Sequence, residues 1–261
     1  MKQSNNNLFK INPSVEENKI TAFIKSTLQS QGFKNVIIGL SGGIDSATSF
    51  SLLKKSIPTQ NIFIAHLYYF NSQIDIIKPL LKTTNIPQEN IYNISIKNSV
   101  DEFAKTLFST SEVNRVRLGN IMARVRMIIL YDLAKKHNAL VAGTENKSEL
   151  HLGYFTRFGD EASDFEPIQH LYKTQIFSLA KHLNIPQNLI DQVPTAGLWK
   201  DQTDEGEFGF SYKEADQVLY LYFDKRLNIP QIVKKGFLNA KKIINFVNKN
   251  SFKHHLPYTV K

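Results

Sequence analysis

The sequence contains no cysteine. Disulfides, thiolate-rich zinc sites and a cysteine nucleophile are therefore excluded from this chain. No apolar run approaches the roughly 18 residues that a membrane span needs, so no membrane partner is expected. The first residues, MKQSNNNLFKINPS, lack an apolar signal core, which predicts a cytoplasmic protein. Tryptophan occurs once, at Trp199. Arginine is scarce as well: only six are present, and four of them, Arg115, Arg117, Arg124 and Arg126, fall within twelve residues. A chain that otherwise uses lysine has gathered its planar, bidentate cations in one place.

What is present describes an ordinary globular protein. The 261 residues, 42% hydrophobic and 21% charged, suffice for one generous α/β domain. A formal net charge of +9 favours an anionic partner such as a nucleotide, although lysines spread along the chain also serve simply to solvate surfaces.

The pattern alternates. Residues 13–31 read as an amphipathic helix closed by Gly32, and Val36–Leu40 as a short buried strand. After a glycine turn come a helix over 45–55, a strand at Ile62–Leu67, a helix over 73–84, a strand at Ile91–Ile96 and a helix over 99–108. A long helix over about 113–137 leads into the strand Ala139–Ala142. This alternation predicts a doubly wound parallel sheet with helices on both faces, all strand C-termini lying on one edge, followed by a helical C-terminal part. The expected partition is an N-terminal helix region to residue 32, a nucleotide-binding α/β core over 33–193, a mobile lid over 194–210 and C-terminal helices over 211–261, together forming one domain. The lid rests on the poor periodicity of 194–210 and on Trp199, since a tryptophan exposed in a loop usually meets something.

The first strand runs into Gly39, Leu40, Ser41, Gly42, Gly43, Ile44, Asp45 and Ser46. Glycines let backbone approach an anion, while Ser41, Ser46 and the free N–H groups of the following helix supply donors. The lysine of GxxxxGK[ST] is missing, so this is no Walker loop. Asp45 reads either as a helix-capping carboxylate or as a ligand for Mg²⁺ at the phosphates. The same residues fit GxSxG, which would make Ser41 a hydrolase nucleophile, and a plain strand-to-helix turn is the third reading. A second signal, Gly143-Thr144-Glu145-Asn146-Lys147-Ser148-Glu149, follows the last strand. There Thr144 offers a hydroxyl, and Glu149 offers an oxygen ligand that pairs sensibly with Asp45 on one magnesium ion.

SGGIDS resembles the pyrophosphate loop of the N-type ATP pyrophosphatases, fold relatives of the adenine nucleotide alpha hydrolases, which cleave ATP to AMP and pyrophosphate. Five further segments follow in order: Asn120–Met127, GTENKSE, the Phe158-Gly159-Asp160 run, Leu171-Tyr172-Lys173-Thr174, and Pro194–Trp199 with Asp204-Glu205. In this order, across roughly 33–212, they resemble the ammonia-dependent NAD synthetases. The resemblance implies ATP-driven amidation of deamido-NAD by ammonia through an NAD-adenylate, with AMP and pyrophosphate released. It implies that Gly39–Ser46 wrap the ATP phosphates, with Thr144, Lys173 and Thr195 as further ATP contacts. Asp45 and Lys173 would be catalytic, Asp45 and Glu149 would hold Mg²⁺, and Arg124, Arg157 and Asp164 would contact deamido-NAD. It also implies a homodimer, with the arginine-bearing helix at its interface and Lys253 reaching the substrate of a neighbouring subunit.

The chain departs from the family after the second strand, where Leu67-Tyr68-Tyr69-Phe70 replaces a Met-Pro segment. His254 and His255 read as surface residues. Three rivals stand beside this reading: an adenylating tRNA-modifying enzyme, a serine hydrolase using Ser41, and a non-catalytic nucleotide sensor. The first would need an RNA-binding addition, and no nucleic-acid partner is expected. The absent cysteine adds one expectation: with no thiolate to attack glutamine, free ammonia is the nitrogen source.

Overall fold

Strands in this protein pair only with parallel neighbours, because each is followed by a helix that carries the chain back across the sheet. The computed structural model describes residues 9–82, 84–107, 114–254 and 258–260. Four strands, β1 (Asn35–Gly39), β2 (Ile62–Tyr68), β3 (Ile91–Ser95) and β4 (Ala139–Ala142), form an all-parallel sheet of order β3-β2-β1-β4. The crossovers are α2 (Ile44–Ser56), α3 (Ile74–Lys82), and the pair α4 (Lys97–Leu107) and α5 (Arg115–His137). Residues 83, 108 and 113 of the expected helices lie outside the described residues.

The run Val36-Ile37-Ile38 is fully buried because both of its faces are covered. Val36 and Ile38, with Ile62 and Ile64, meet Ile20 and Ile24 of α1 (Pro13–Gln31), Phe50 of α2, and Ile176 and Leu179 of α7 (Lys173–His182). Ile37, Phe63, Ala65 and Val141 point the other way, onto Leu133 and Ala134 of α5. The pleat thus sorts successive side chains into two cores. The bounding helices carry their own stop and start signals: Asn12 accepts from the amides of Ser14 and Val15, and Gly32 ends α1 at φ 73°.

A third core lies beyond the sheet. Phe208, Phe210, Tyr212, Val218, Ile232 and Ile243 pack with Leu152 and Tyr172. The helices concerned are α6 (Lys147–Leu152), α9 (Asp204–Phe208), α10 (Tyr212–Leu219), α11 (Ile229–Lys234) and α12 (Ala240–Asn250), with the short α8 (Gln187–Ile190) between α7 and α9. This corrects the expected extent of the lid. Its last third is helix α9, capped by the Thr203 side chain on the amide of Gly206, and its aromatic end is part of the C-terminal core. The five residues of α9 are too few for any period to show in the sequence.

If Phe208 belongs to that core, Phe208→Ala should lower the unfolding free energy by about 3–5 kcal/mol, read from urea titration. A loss within the range of an exposed loop residue would return 204–210 to the lid.

Candidate active site at the strand C-termini

The sheet order places a switch point between β1 and β4, since the chain winds outward from β1 through β2 and β3 before returning to β4. Loops leaving β1 and β4 diverge there and open a crevice. Both glycine-bearing segments occupy it. A cavity of about 790 Å³ lies in the crevice, with the first loop, Thr144, Glu149, Lys173 and Thr195 on its wall.

Local backbone chemistry aims the groups. Gly42 takes φ 97°, a region that favours glycine. Gly43 then starts α2, which carries Asp45 in its first turn. Asn146 caps α6, accepting from the amides of Ser148 and Glu149, and Glu149 returns a bond from the Asn146 amide to its own carboxylate. Gly143 is required for another reason: a Cβ there would sit 1.8 Å from Oε1 of Glu166.

Lys173 joins the two loops. Its ammonium, only 3% exposed, donates to Oδ2 of Asp45 at 2.5 Å and to Oε1 of Glu149 at 3.2 Å. Asn146 Nδ2 donates to the other Asp45 oxygen at 3.0 Å. Burial by itself would lower the Lys173 pKa, but the charges of Asp45 and Glu149 outweigh it and hold the ammonium above its ordinary range. Burial raises Glu149, with Lys173 opposing and Asp45 adding to the rise. One buried cation thus serves two partly exposed carboxylates beneath the glycine loop.

Every predicted phosphate-side residue except Gly42 lines this cavity, whereas Arg124, Arg157, Asp164 and Lys253 do not. Arg124 donates to the Arg157 carbonyl at 3.1 Å, and the Arg157 guanidinium lies over the Phe158 and Phe252 rings. Lys253 turns inward onto its own chain, to the carbonyls of Gly153 and Phe155 at 2.7 and 2.8 Å. These three cations converge on residues 153–158. Asp164 stands apart and accepts from the Val141 amide at 2.7 Å. His254 is exposed, as expected of a surface residue, and meets the Phe155 ring edge-on; His255 lies outside the described residues.

Ser41 hydrogen-bonds Ser46 and accepts from the Gly43 amide. Neither is a base, which removes the activation that a serine hydrolase requires.

Three groups escaped the reading of the sequence. Arg126 lines the cavity where Arg124 was expected to act, its Nε pinned to the Leu67 carbonyl at 3.1 Å. A two-residue step on a helix turns a side chain to a different face, and that was the available signal. Asp204, 3% exposed, accepts from Tyr212 and also lines the cavity; burial raises its pKa. Glu145, 6% exposed, accepts from Gln169. Burial first, then the charge of Glu166, push its carboxyl up to about 9.

That last value has a consequence for stability. The folded protein retains a proton that the unfolded chain, with an ordinary pKa of 4.5, releases earlier. The contribution of Glu145 is therefore fully present below about pH 4.5 and is lost as pH rises toward about 9. Glu145→Gln, which mimics the protonated acid, should flatten the fall of the urea midpoint between about pH 5 and pH 8. An unchanged slope would mean that Glu145 ionises freely in the folded state.

Comparison with known proteins agrees with this geometry. The family model described as NAD synthase matches residues 16–257. An NH3-dependent NAD+ synthetase of Fusobacterium nucleatum is 37% identical over 257 residues, covering 98% of each chain. The solved NH3-dependent NAD synthetase of Campylobacter jejuni, in complex with nitrate, superposes with a TM-score of 0.78 at 31% identity, covering 96% of this chain and 100% of that one. An NMN synthetase from Francisella tularensis superposes with a TM-score of 0.81 at 32% identity, covering 97% and 100%. Matched over nearly its whole length by that family model and by these relatives, the chain belongs to the NAD synthase family.

Proposed function

We propose that this chain amidates deamido-NAD with ammonia at the expense of ATP, and that the cavity at the β1–β4 switch point is where it does so. The observation that carries the assignment of the site is Lys173 bridging Asp45 and Glu149 beneath the glycine loop. A carboxylate is a poor acyl donor and needs activation before it can become an amide. An oxygen of the nicotinate carboxylate bonds to the α-phosphorus of ATP, the bond from that phosphorus to the bridging oxygen breaks, and pyrophosphate leaves. Ammonia then attacks the acyl carbon, its surplus proton is lost, and the acyl–oxygen bond breaks to release AMP and NAD⁺.

The protein's part is alignment and charge stabilisation. Amides at the start of α2, with the hydroxyls of Ser41 and Ser46, receive the phosphates. Lys173 swings its charge from the carboxylates onto the departing pyrophosphate. Asp45 and Glu149 would hold Mg²⁺. The donor set fits that ion, since two hard carboxylate oxygens already share one cation. Phosphate oxygens and water would complete the shell, as magnesium prefers. When bound, the ion supplies neutralisation of phosphate charge. Arg126, which lines the cavity, binds a substrate anion, while Arg124, Arg157 and Lys253 form a separate cluster for the rest of the dinucleotide.

Residues 194–203 serve as the lid that keeps water from the adenylate. Thr195, Ala196, Gly197 and Trp199 line the cavity, and the base of the loop is closed by the Asp204 amide on the Pro194 carbonyl at 3.0 Å. Trp199 meets the Arg115 guanidinium 5.2 Å from its ring. A homodimer through α5 is supported by the exposed Val116 and Ile128 beside Arg124 on that helix. A mononucleotide acceptor is the second reading, favoured by the likeness to the Francisella NMN synthetase.

The protein incubated with ATP, Mg²⁺, ammonium and deamido-NAD should yield NAD⁺, AMP and pyrophosphate on nucleotide chromatography. Nicotinate mononucleotide in place of the dinucleotide should react poorly; the reverse preference would establish the second reading. Product should rise with pH as the free NH₃ fraction grows, and ammonia-free glutamine should give none, because the chain has no thiolate to hydrolyse it. Asp45→Asn and Glu149→Gln should each slow pyrophosphate release by about 100-fold or more while circular dichroism stays unchanged. Near-normal release by either variant would remove the site assignment.

A further inference from the structure

The C-terminal helices reach the site from behind, through residues that do not line its cavity. On α10, Tyr212 and Asp216 stand four residues apart and so share one face. The Lys173 ammonium lies 5.2 Å from the centre of the Tyr212 ring. Asp216, 0% exposed, accepts at Oδ1 from the Ser148 hydroxyl at 2.5 Å, and at Oδ2 from the Thr174 amide and hydroxyl at 2.8 and 2.7 Å. Ser148 in turn accepts from the Lys173 amide at 2.8 Å.

The first two amides of α7 are therefore satisfied by other elements, one directly by Asp216 and the other through Ser148. A carboxylate at a helix N-terminus is favoured by the orphan donors and the helix dipole. Ser148 precedes Glu149 on α6, and Thr174 follows Lys173 on α7. A single buried carboxylate thus ties together the starts of the two helices that present the cation and one of its partners. The rest of α10 is locked by Ala215, Val218 and Leu219 in the C-terminal core, so the carboxylate is held on a rigid support.

We infer that Asp216 is a positioning residue for the reaction: it sets the register of α7 against α6 and thereby the placement of Lys173 relative to Glu149. This rests on the proposed reading that Lys173 and Glu149 act on the phosphates. It explains why a carboxylate is buried where two apolar helices could pack, since unpaired amides at the start of α7 would otherwise be left in a dry interior.

The test compares Asp216→Asn, Thr174→Val, Thr174→Ser and Lys173→Met in pyrophosphate release, with rates expressed per folded molecule from circular dichroism and gel filtration. Asp216→Asn should lower kcat about tenfold or more while the KM for ATP moves less than about threefold, because placement and not binding is disturbed. Thr174→Val should show a smaller loss of kcat, and Thr174→Ser, which keeps the hydroxyl, should restore it. Combining Asp216→Asn with Thr174→Val should cost less than the product of the single losses, as expected of groups in one network. If Asp216→Asn does not fold, the contrast between Thr174→Val and Thr174→Ser decides. An inactive Lys173→Met alongside Asp216→Asn and Thr174→Val rates within about twofold of the unaltered protein would overturn this inference alone. A fully active Lys173→Met would overturn the site assignment and this inference with it.

Discussion

One buried ammonium shared by two carboxylates organises this molecule. Lys173, Asp45 and Glu149 come from three helices, α7, α2 and α6, and none of them would be stable at its depth without the others. Removing charges from water costs several kcal/mol per ion, and an apolar cluster of the same volume would commonly be at least as stable. Such a cluster holds a cation already stripped of water, which can turn to an arriving anion with little reorganisation. The surrounding structure then reads as support for that cluster. Asn146 orients Asp45, the capping box of α6 orients Glu149, and Asp216 satisfies the start of α7.

The sheet contributes position more than chemistry. Parallel strands with both faces covered need continuous apolar sequence, which β1 supplies, and their C-terminal edge is where loops can diverge. Because β4 pairs with β1 on the side away from β2, the two glycine-bearing loops are neighbours in space although about a hundred residues separate them in sequence. The C-terminal helical layer has its own aromatic core and touches the site at the starts of α6 and α7, through Asp216 and through Asp224, which pairs with Lys147 and accepts from Tyr172.

Charge is distributed unevenly around the crevice. Around Lys173 stand the carboxylates of Asp45, Glu149 and Asp204, so the charge on this wall of the cavity is mixed. The arginines lie elsewhere: Arg126 at the cavity, Arg124 and Arg157 on the outer loop, Arg115 against Trp199. Arg124 and Arg157 gather with Lys253 around residues 153–158, apart from the Lys173 cluster.

Much of this was legible without coordinates. Alternation of short apolar runs with amphipathic segments determined the parallel α/β class, because strand and helix periods differ and both are local properties. The glycine turn, Thr144, Glu149 and Lys173 were legible as residues of one site, and they do line one cavity, because the motifs that carry them are short and contiguous. Other features depended on packing between distant segments. Glu145 is buried only because Phe165, Glu166 and Gln169 fold over β4, and Arg126 faces the cavity in place of Arg124 only because α5 lies on the sheet with that rotation. Asp216 looked like any polar residue of an amphipathic helix; its two acceptors found their donors 42 and 68 residues away. Local sequence determines which elements form and which backbone turns can hold an anion. Burial, pKa and the pairing of charges are set by neighbours that only the tertiary fold brings within hydrogen-bond distance, since those interactions act over a few ångströms and are indifferent to separation along the chain.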